Sequence, residues 1–397
     1  MSSPLGAALD DPAFLDDPYP TLATIRDLGP LPHDDRLGVR LAASYAAAAE
    51  VLRSRDLGRT YTTRVPRPGE PAGEWDTFNA LHEHALLEVE PPTHTRLRRL
   101  VTSAFARGHV ERLRPRVEEL AAELLDGCAV VLEREGSVDV VGGLAEPLPV
   151  LVVAELLGWP AADRHLLRPW SQAIVAMYEL DPTPAAEAAA RRAAGEFAGY
   201  VAELARERSR HPGDDLVTDL VAARDAGDRL SEAELVATVV LLLNAGHEAS
   251  VNGLGNGLVS WLGAGSPAAE VAPLVEEMLR HDAPLQLFER TALRRCTVAG
   301  VDLAPGERVA ALLGAANRDP ARFARPEAFD PTRTAPHLSF GAGLHFCVGA
   351  PLARLELQVA VAALLRRWPR LELVAAVRRP TFVLRGWSEV RVRPDAS

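Results

Sequence analysis

In Phe340-Gly341-Ala342-Gly343-Leu344-His345-Phe346-Cys347-Val348-Gly349, one cysteine follows two glycines, precedes a third, and stands just ahead of an amphipathic run that begins near Pro351. Glycine admits backbone conformations closed to other residues and lets the chain approach a flat, bulky partner closely. The N–H groups of such a turn, with the positive end of the following helix, stabilise a thiolate. A thiolate of low pKa that need not move serves as a metal ligand before it serves as a nucleophile. Cys347 therefore reads as the ligand of a haem iron.

A second stretch with chemistry is Leu243-Asn244-Ala245-Gly246-His247-Glu248-Ala249-Ser250, inside a long apolar run. A glycine within a helix costs about 1 kcal/mol relative to alanine. Either Gly246 marks a local widening where a small molecule such as O2 rests against the backbone, or it lets a neighbour pack closely. On this segment alone, close packing is the better reading. His247-Glu248 begins a zinc-protease motif, but the second histidine it needs is replaced by Val251. No Gly-x-Ser-x-Gly elbow occurs, so a serine hydrolase has no support. Glu277 and Arg280 are one helical turn apart and suit a buried ion pair. The same spacing at Glu50/Arg53, Glu111/Arg114, Glu203/Arg206 and Glu207/Arg210 reads as surface pairing. His94 and Arg98 share a helix face, and by themselves they read as solvated.

Composition removes several function classes. The net charge of −11 opposes a protein that neutralises nucleic-acid phosphates. All 43 basic residues are arginine, which excludes Schiff-base chemistry on a lysine and the Walker-type phosphate loop. Three scattered cysteines, Cys128, Cys296 and Cys347, make no disulfide framework and fit a reducing cytoplasm. Met1 to Asp10 lacks the basic start and apolar core of a signal peptide. The apolar run Leu235 to Leu243 falls short of the roughly 20 residues that span a bilayer.

The elements that must position these residues are mostly helices. Apolar periodicity predicts helices from Tyr19 to about Leu28, Ser44 to Leu52, Val110 to Leu132, Leu148 to Leu157, Ala185 to Arg208 and Leu274 to His281. Prolines 91 and 92 open another that carries His94. Ser231-Glu232-Ala233-Glu234 is a capping box that starts a helix running to about Leu262, roughly 45–50 Å at 1.5 Å per residue. Residues 61–73 read as a surface loop, and Trp75 to Leu87 shows no clear period. Short β-like pieces are expected at Gly38 to Leu41, Thr297 to Leu303, Arg308 to Leu312, Thr381 to Leu384 and Val390 to Val392. The fold class is mainly α with a small β-rich region. No low-complexity linker divides residues 1–397, so a single domain is expected.

Taken together these segments resemble the cytochrome P450 family in its soluble bacterial form, in the family's order over almost the whole chain. The cysteine segment matches Phe-Gly-x-Gly-x-His-x-Cys-x-Gly at every fixed position. Phe329-Asp330-Pro331-Thr332-Arg333 and His337-Leu338-Ser339 look like the family's meander. The resemblance implies haem b between the long central helix and the helix after the cysteine loop, with Cys347 as axial ligand and Phe340, Gly341 and Gly349 around it. It also implies that His94, Arg98, Arg290 and His345 hold the propionates, and that Glu277, Arg280 and Arg333 form a buried network. O2 would lie against Ala245 and Gly246, with Glu248 on the proton path. The family places threonine after the acid, whereas Ala249 stands here and Ser250 follows. One residue turns a side chain by about 100° around a helix, so Ser250 is no simple replacement. An ordered water or a substrate hydroxyl would complete the relay.

The implied activity is O2-dependent hydroxylation or other oxidation of a small, largely apolar organic substrate. Trp75, Phe78, Leu87, Leu287 and Phe288 are expected around that substrate. Electrons would come from a ferredoxin with its NAD(P)H-dependent reductase, docking on Arg96, Arg99, Arg354, Arg366 and Arg367, in the cytoplasm and without nucleic acid or membrane. The alternatives are a haem-thiolate oxidase or coupling enzyme that inserts no oxygen, a non-catalytic haem or ligand carrier, and a zinc site of His337, His345 and Cys347.

Overall fold

The structure, a computed structural model, describes residues 3–68, 70–225 and 230–395. Contacts divide the chain into two compact units: Met1–Gly58, Arg114–Pro147 and Ala249–Ser397 form the first, and Arg59–Leu113 with Leu148–Glu248 the second. The boundary between Glu248 and Ala249 falls inside the helix Glu232–Gly263.

Every named strand belongs to the first unit. Its five-stranded sheet runs His33–Asp34, Val39–Ala42, Arg308–Leu312, Leu287–Ala292, Leu57–Gly58. Val39–Ala42 lies parallel to Arg308–Leu312, with Arg40 opposite Val309, and the other pairings are antiparallel. Helix Tyr45–Arg53, capped by Ser44 Oγ accepting the Ala47 N–H at 3.2 Å, packs its alanine and valine face on this sheet. Ala47, Ala48, Val51 and Leu52 share one buried cluster with Val309, Ala311, Leu338 and Ala342. That cluster roots the start of the cysteine loop in the sheet core. The helices Arg114–Glu135 and Val271–His281 both pack on Ala350–Arg367.

The second unit is helical among its described residues. Pro184–Arg210, started by Thr183 as cap and Pro184 at its first turn, packs on Asp76–Glu83, Leu167–Val175 and Leu216–Asp225. Phe197 from this helix meets both Trp159 and Trp170. The predicted capping box is present: Ser231 N–H donates to Glu234 Oε2 at 2.9 Å, and Glu234 N–H donates to Ser231 Oγ at 3.1 Å. Glu232–Gly263 is long and apolar enough to cross a membrane, yet 72% of its most apolar stretch is buried, as in a core helix.

Three expectations differ from the structure. Trp75 to Leu87 holds a helix, Asp76–Glu83, whose inward residues Phe78, Leu81 and His82 show helical spacing obscured by their mixed polarity. Thr381 to Leu384 makes no strand, only one bridge between Leu384 and Leu285; its apolar Phe382 and Val383 are core residues rather than ladder residues. The Val110 to Leu132 helix is interrupted at Leu113, and Arg114–Glu135 starts afresh with Pro115 in its first turn. The strand Leu371–Arg378 was not legible because it is an edge strand with several outward apolar residues, Val374 and Val377 among them.

The first unit is locked by a buried ionic knot. Glu277 accepts from Arg280 Nε and Nη2, each at 2.7 Å, and from the Asp330 N–H at 2.7 Å, with Arg333 Nε at 3.5 Å. Arg280 also donates to the carbonyls of Asn317, Pro326 and Ala328. Both side chains are 2% exposed, so losing one partner strands a charge out of water. We expect Glu277→Gln to lower unfolding stability by about 3–5 kcal/mol, read from the urea midpoint. Glu203→Gln, at the same spacing on an exposed helix face, should stay within about 0.5 kcal/mol.

Candidate active site

The cysteine loop is closed by the Cys347 N–H donating to the Phe340 carbonyl at 3.0 Å and by Phe346 N–H donating to Gly343 at 3.1 Å. Gly341 and Gly343 both have positive φ, +68° and +72°. A Cβ on Gly343 would lie 2.3 Å from the Leu52 carbonyl oxygen. The close approach that this glycine permits is thus to the backbone of helix Tyr45–Arg53. Gly349 has φ of −81° and serves as the cap position of Ala350–Arg367, with Pro351 in the first turn. Behind the loop, Arg354 covers the Phe340 ring at 4.4 Å and bonds Glu276 through two nitrogens at 2.6 and 2.9 Å.

Cys347 is partly exposed, and its neighbours Leu344 and Phe346 are 42% and 40% exposed. A reachable sulfur flanked by outward apolar side chains fits a flat apolar macrocycle. The other cysteines fit poorly. Cys128 is buried against Gly143, where burial and then Asp139 push its thiol up to about 11. Burial also raises the Cys296 thiol, with Asp56 adding to it. No group of three or more His, Cys, Asp or Glu side chains gathers as a metal site among the described residues. That removes the zinc alternative, and His337 instead faces Glu276 at 3.3 Å. A haem needs only one protein ligand on the sulfur side, so the residue set fits it.

The expected propionate residues fall in both units. His94 is 1% exposed on Thr93–Thr102, with Arg98 partly buried one turn on. In the first unit, Arg290 is 3% exposed on Leu287–Ala292, donating to the Glu289 carbonyl at 2.9 Å and lying 5.6 Å from the Phe288 ring. His345 ends the short helix Gly343–His345 two residues before the cysteine.

The long helix is continuous through Ala245–Ser250. A Cβ on Gly246 would meet Val153 Cγ2 at 2.9 Å, which is the close-packing reading. Leu241, Ala245 and Ala249, spaced by four, nevertheless stay accessible on a helix whose neighbours Asn244, His247, Glu248 and Ser250 are buried. Ser250 turns away from that stripe and bonds Glu356 of Ala350–Arg367. Glu356 was missed in the sequence. Its only signal was an acid in register with Leu352, Leu355 and Val359 on a buried face. It is 3% exposed, and burial pushes its carboxyl up to about 8, with the Ser250 hydrogen bond lowering it slightly.

In the second unit, Trp75 and Phe78 are buried edge to face, and Trp75 is covered by Arg191 at 4.8 Å and Arg64 at 5.8 Å. Leu87 is partly buried. His82, which the sequence reading passed over, stacks on Phe78 at 4.2 Å and Tyr61 at 5.3 Å, with Tyr178 edge-on. Burial holds its imidazole below the usual range. Leu287 and Phe288 lie in the first unit, buried and half-buried.

The family model for cytochrome P450 matches residues 272–381. Cytochrome P450 107B1 of Saccharopolyspora erythraea is 42% identical over 86% of this chain and 85% of its own length. The 6-deoxyerythronolide B hydroxylase of the same organism is 38% identical over 98% of both chains. A crystal structure of P450BioI, in complex with an acyl carrier protein ligated to hexadec-9Z-enoic acid, superposes with a TM-score of 0.88. It is 32% identical and covers 96% of this chain and 100% of its own. The chain belongs to the cytochrome P450 family. It has the P450 fold and is a haem-thiolate monooxygenase of bacterial type, whose cofactor is haem b held through a cysteine thiolate.

Glu356 sets a pH dependence of stability. The folded carboxyl keeps its proton up to about 8 while the unfolded one releases it near its ordinary 4.5, so stability present below 4.5 is lost as pH rises toward 8. Glu356→Gln removes that loss. The variant should melt with the parent near pH 4.5 and progressively above it toward pH 8. The ceiling is about 5 kcal/mol, at 1.36 kcal/mol per pKa unit.

Proposed function

We propose that Cys347 is the haem ligand and that His94, Arg98, Arg290 and His345 bond the propionates. In this reading the enzyme hydroxylates a largely apolar polyketide that carries a hydroxyl near the oxidised carbon. Haem bound through a thiolate supplies O2 activation and oxidation of an unactivated C–H bond. With haem bound, the arginine forks would neutralise its two carboxylates through charge-assisted hydrogen bonds, and the histidines would donate N–H groups to them. Glu248 moves protons to the oxygen side of the long helix.

The observation that carries the substrate reading is the fate of the hydroxyl. Ala249 occupies the place where the family has threonine, and Ser250 is committed to Glu356. Neither Ala249 nor Ser250 therefore supplies the relay hydroxyl beside Glu248, and Ala249 leaves room for a substrate hydroxyl or the water it holds. The 38% identical relative named for hydroxylating 6-deoxyerythronolide B supports a polyketide of this kind.

Electrons come from a ferredoxin with its NAD(P)H-dependent reductase, in the cytoplasm, and residues 1–397 work as one catalytic domain. Of the arginines considered for docking, Arg96 is paired with Glu234 and Arg354 with Glu276. Docking then rests on the exposed Arg99, Arg366 and Arg367, the last in an exposed pair with Asp126 at 3.4 Å.

Two measurements test this. Cys347→Ala should lose the thiolate character of the ferrous carbonyl spectrum, and retention of it removes Cys347 as ligand. Ala249→Thr should raise product formed per NAD(P)H on macrolactones that lack the neighbouring hydroxyl, by up to about tenfold, and change little on those that have it. An unchanged ratio across both groups overturns the relay through the substrate.

A further inference from the structure

His247 stands between Gly246 and Glu248 with no exposed surface, on a helix face turned to Leu167–Val175. Burying an imidazole is unfavourable unless its polar edge is used, and phenylalanine would fill the same volume without that cost. Its Nδ1 lies 3.4 Å from Ser171 Oγ, itself fully buried, and 3.8 Å from Glu248 Oε1, which is 4% exposed. One ring nitrogen carries one proton or one lone pair in the ring plane, so it serves these two oxygens one at a time. The first distance is a long hydrogen bond and the second is just beyond one. A small turn of either side chain exchanges them.

We propose that His247 is a positioning residue for Glu248: its Nδ1–H holds the carboxylate at one end of its swing, and Ser171 Oγ takes over that N–H when the carboxylate leaves. A buried N–H with no acceptor is costly, and that cost would pin Glu248 to the ring. The Ser171 hydroxyl removes it and makes the two carboxylate positions close in energy. Away from the ring the carboxylate can take a proton from solvent water, release it on the oxygen side, and return ionised to the Nδ1–H. The ring keeps its own proton throughout, so no charge crosses it. This role rests on the reading that Glu248 carries protons.

The test uses the haem-loaded enzyme with its electron donors. His247→Phe should lower product per NAD(P)H on the order of tenfold, with the lost equivalents appearing as peroxide. His247→Asn, whose side-chain N–H falls near the position of Nδ1–H, should restore most of the coupling, and Ser171→Ala should lose part of it. Independently of turnover, 15N NMR of the ferrous carbonyl form of the unaltered protein should find the His247 proton on Nδ1. Coupling unaffected by His247→Phe, or a ring protonated only at Nε2, overturns the proposal. Glu248→Gln separates the layers. If it uncouples the enzyme and His247→Phe does not, only the positioning role falls. If it leaves coupling intact, the Glu248 reading falls and takes this one with it.

Discussion

The structure around the cysteine depends on one steric fact. Gly343 lies so near the Leu52 carbonyl that no side chain fits, and its positive φ turns the chain back toward Phe340. The Cys347 N–H then closes onto the Phe340 carbonyl, and the sulfur is presented from a loop that has little freedom left. The sheet core beneath, through Leu338 and Ala342, makes that loop an extension of helix Tyr45–Arg53 rather than a surface excursion. Rigid presentation suits the metal ligand that Cys347 is proposed to be.

The ionic knot of Glu277 does for the preceding segment what the glycines do for the loop. Residues 324–333 have little regular structure, and their carbonyls and amides are met by two guanidinium groups and one carboxylate. Such a segment would otherwise carry unsatisfied backbone groups into a buried place. The charge network thus substitutes for secondary structure just before the cysteine loop.

What was legible in the sequence follows the range of the interactions involved. The capping box at Ser231 and the helix it starts are local, and both were readable, as was the cysteine motif with its fixed glycines. Asp76–Glu83 was hidden because Phe78 and His82, its inward residues, differ in polarity, and period-finding relies on polarity. Glu356 was hidden for a stronger reason. A lone acid in an apolar helix gives no hint of its partner, and Ser250 lies 106 positions earlier in the chain. The contact of Gly246 with Val153 was foreseen only as one of two possibilities, because the neighbour that decides between them is set by tertiary packing.

The neutral acid at Glu356 has a spectroscopic consequence. A protonated carboxyl has a carbonyl stretch set apart from the amide and carboxylate bands, and its frequency follows the strength of the hydrogen bonds around it. Because this carboxyl holds its proton at neutral pH between the helix that follows the cysteine and the one that carries Ala249, the core contains its own vibrational label, one that reports on the spacing of those two helices without any chemical modification.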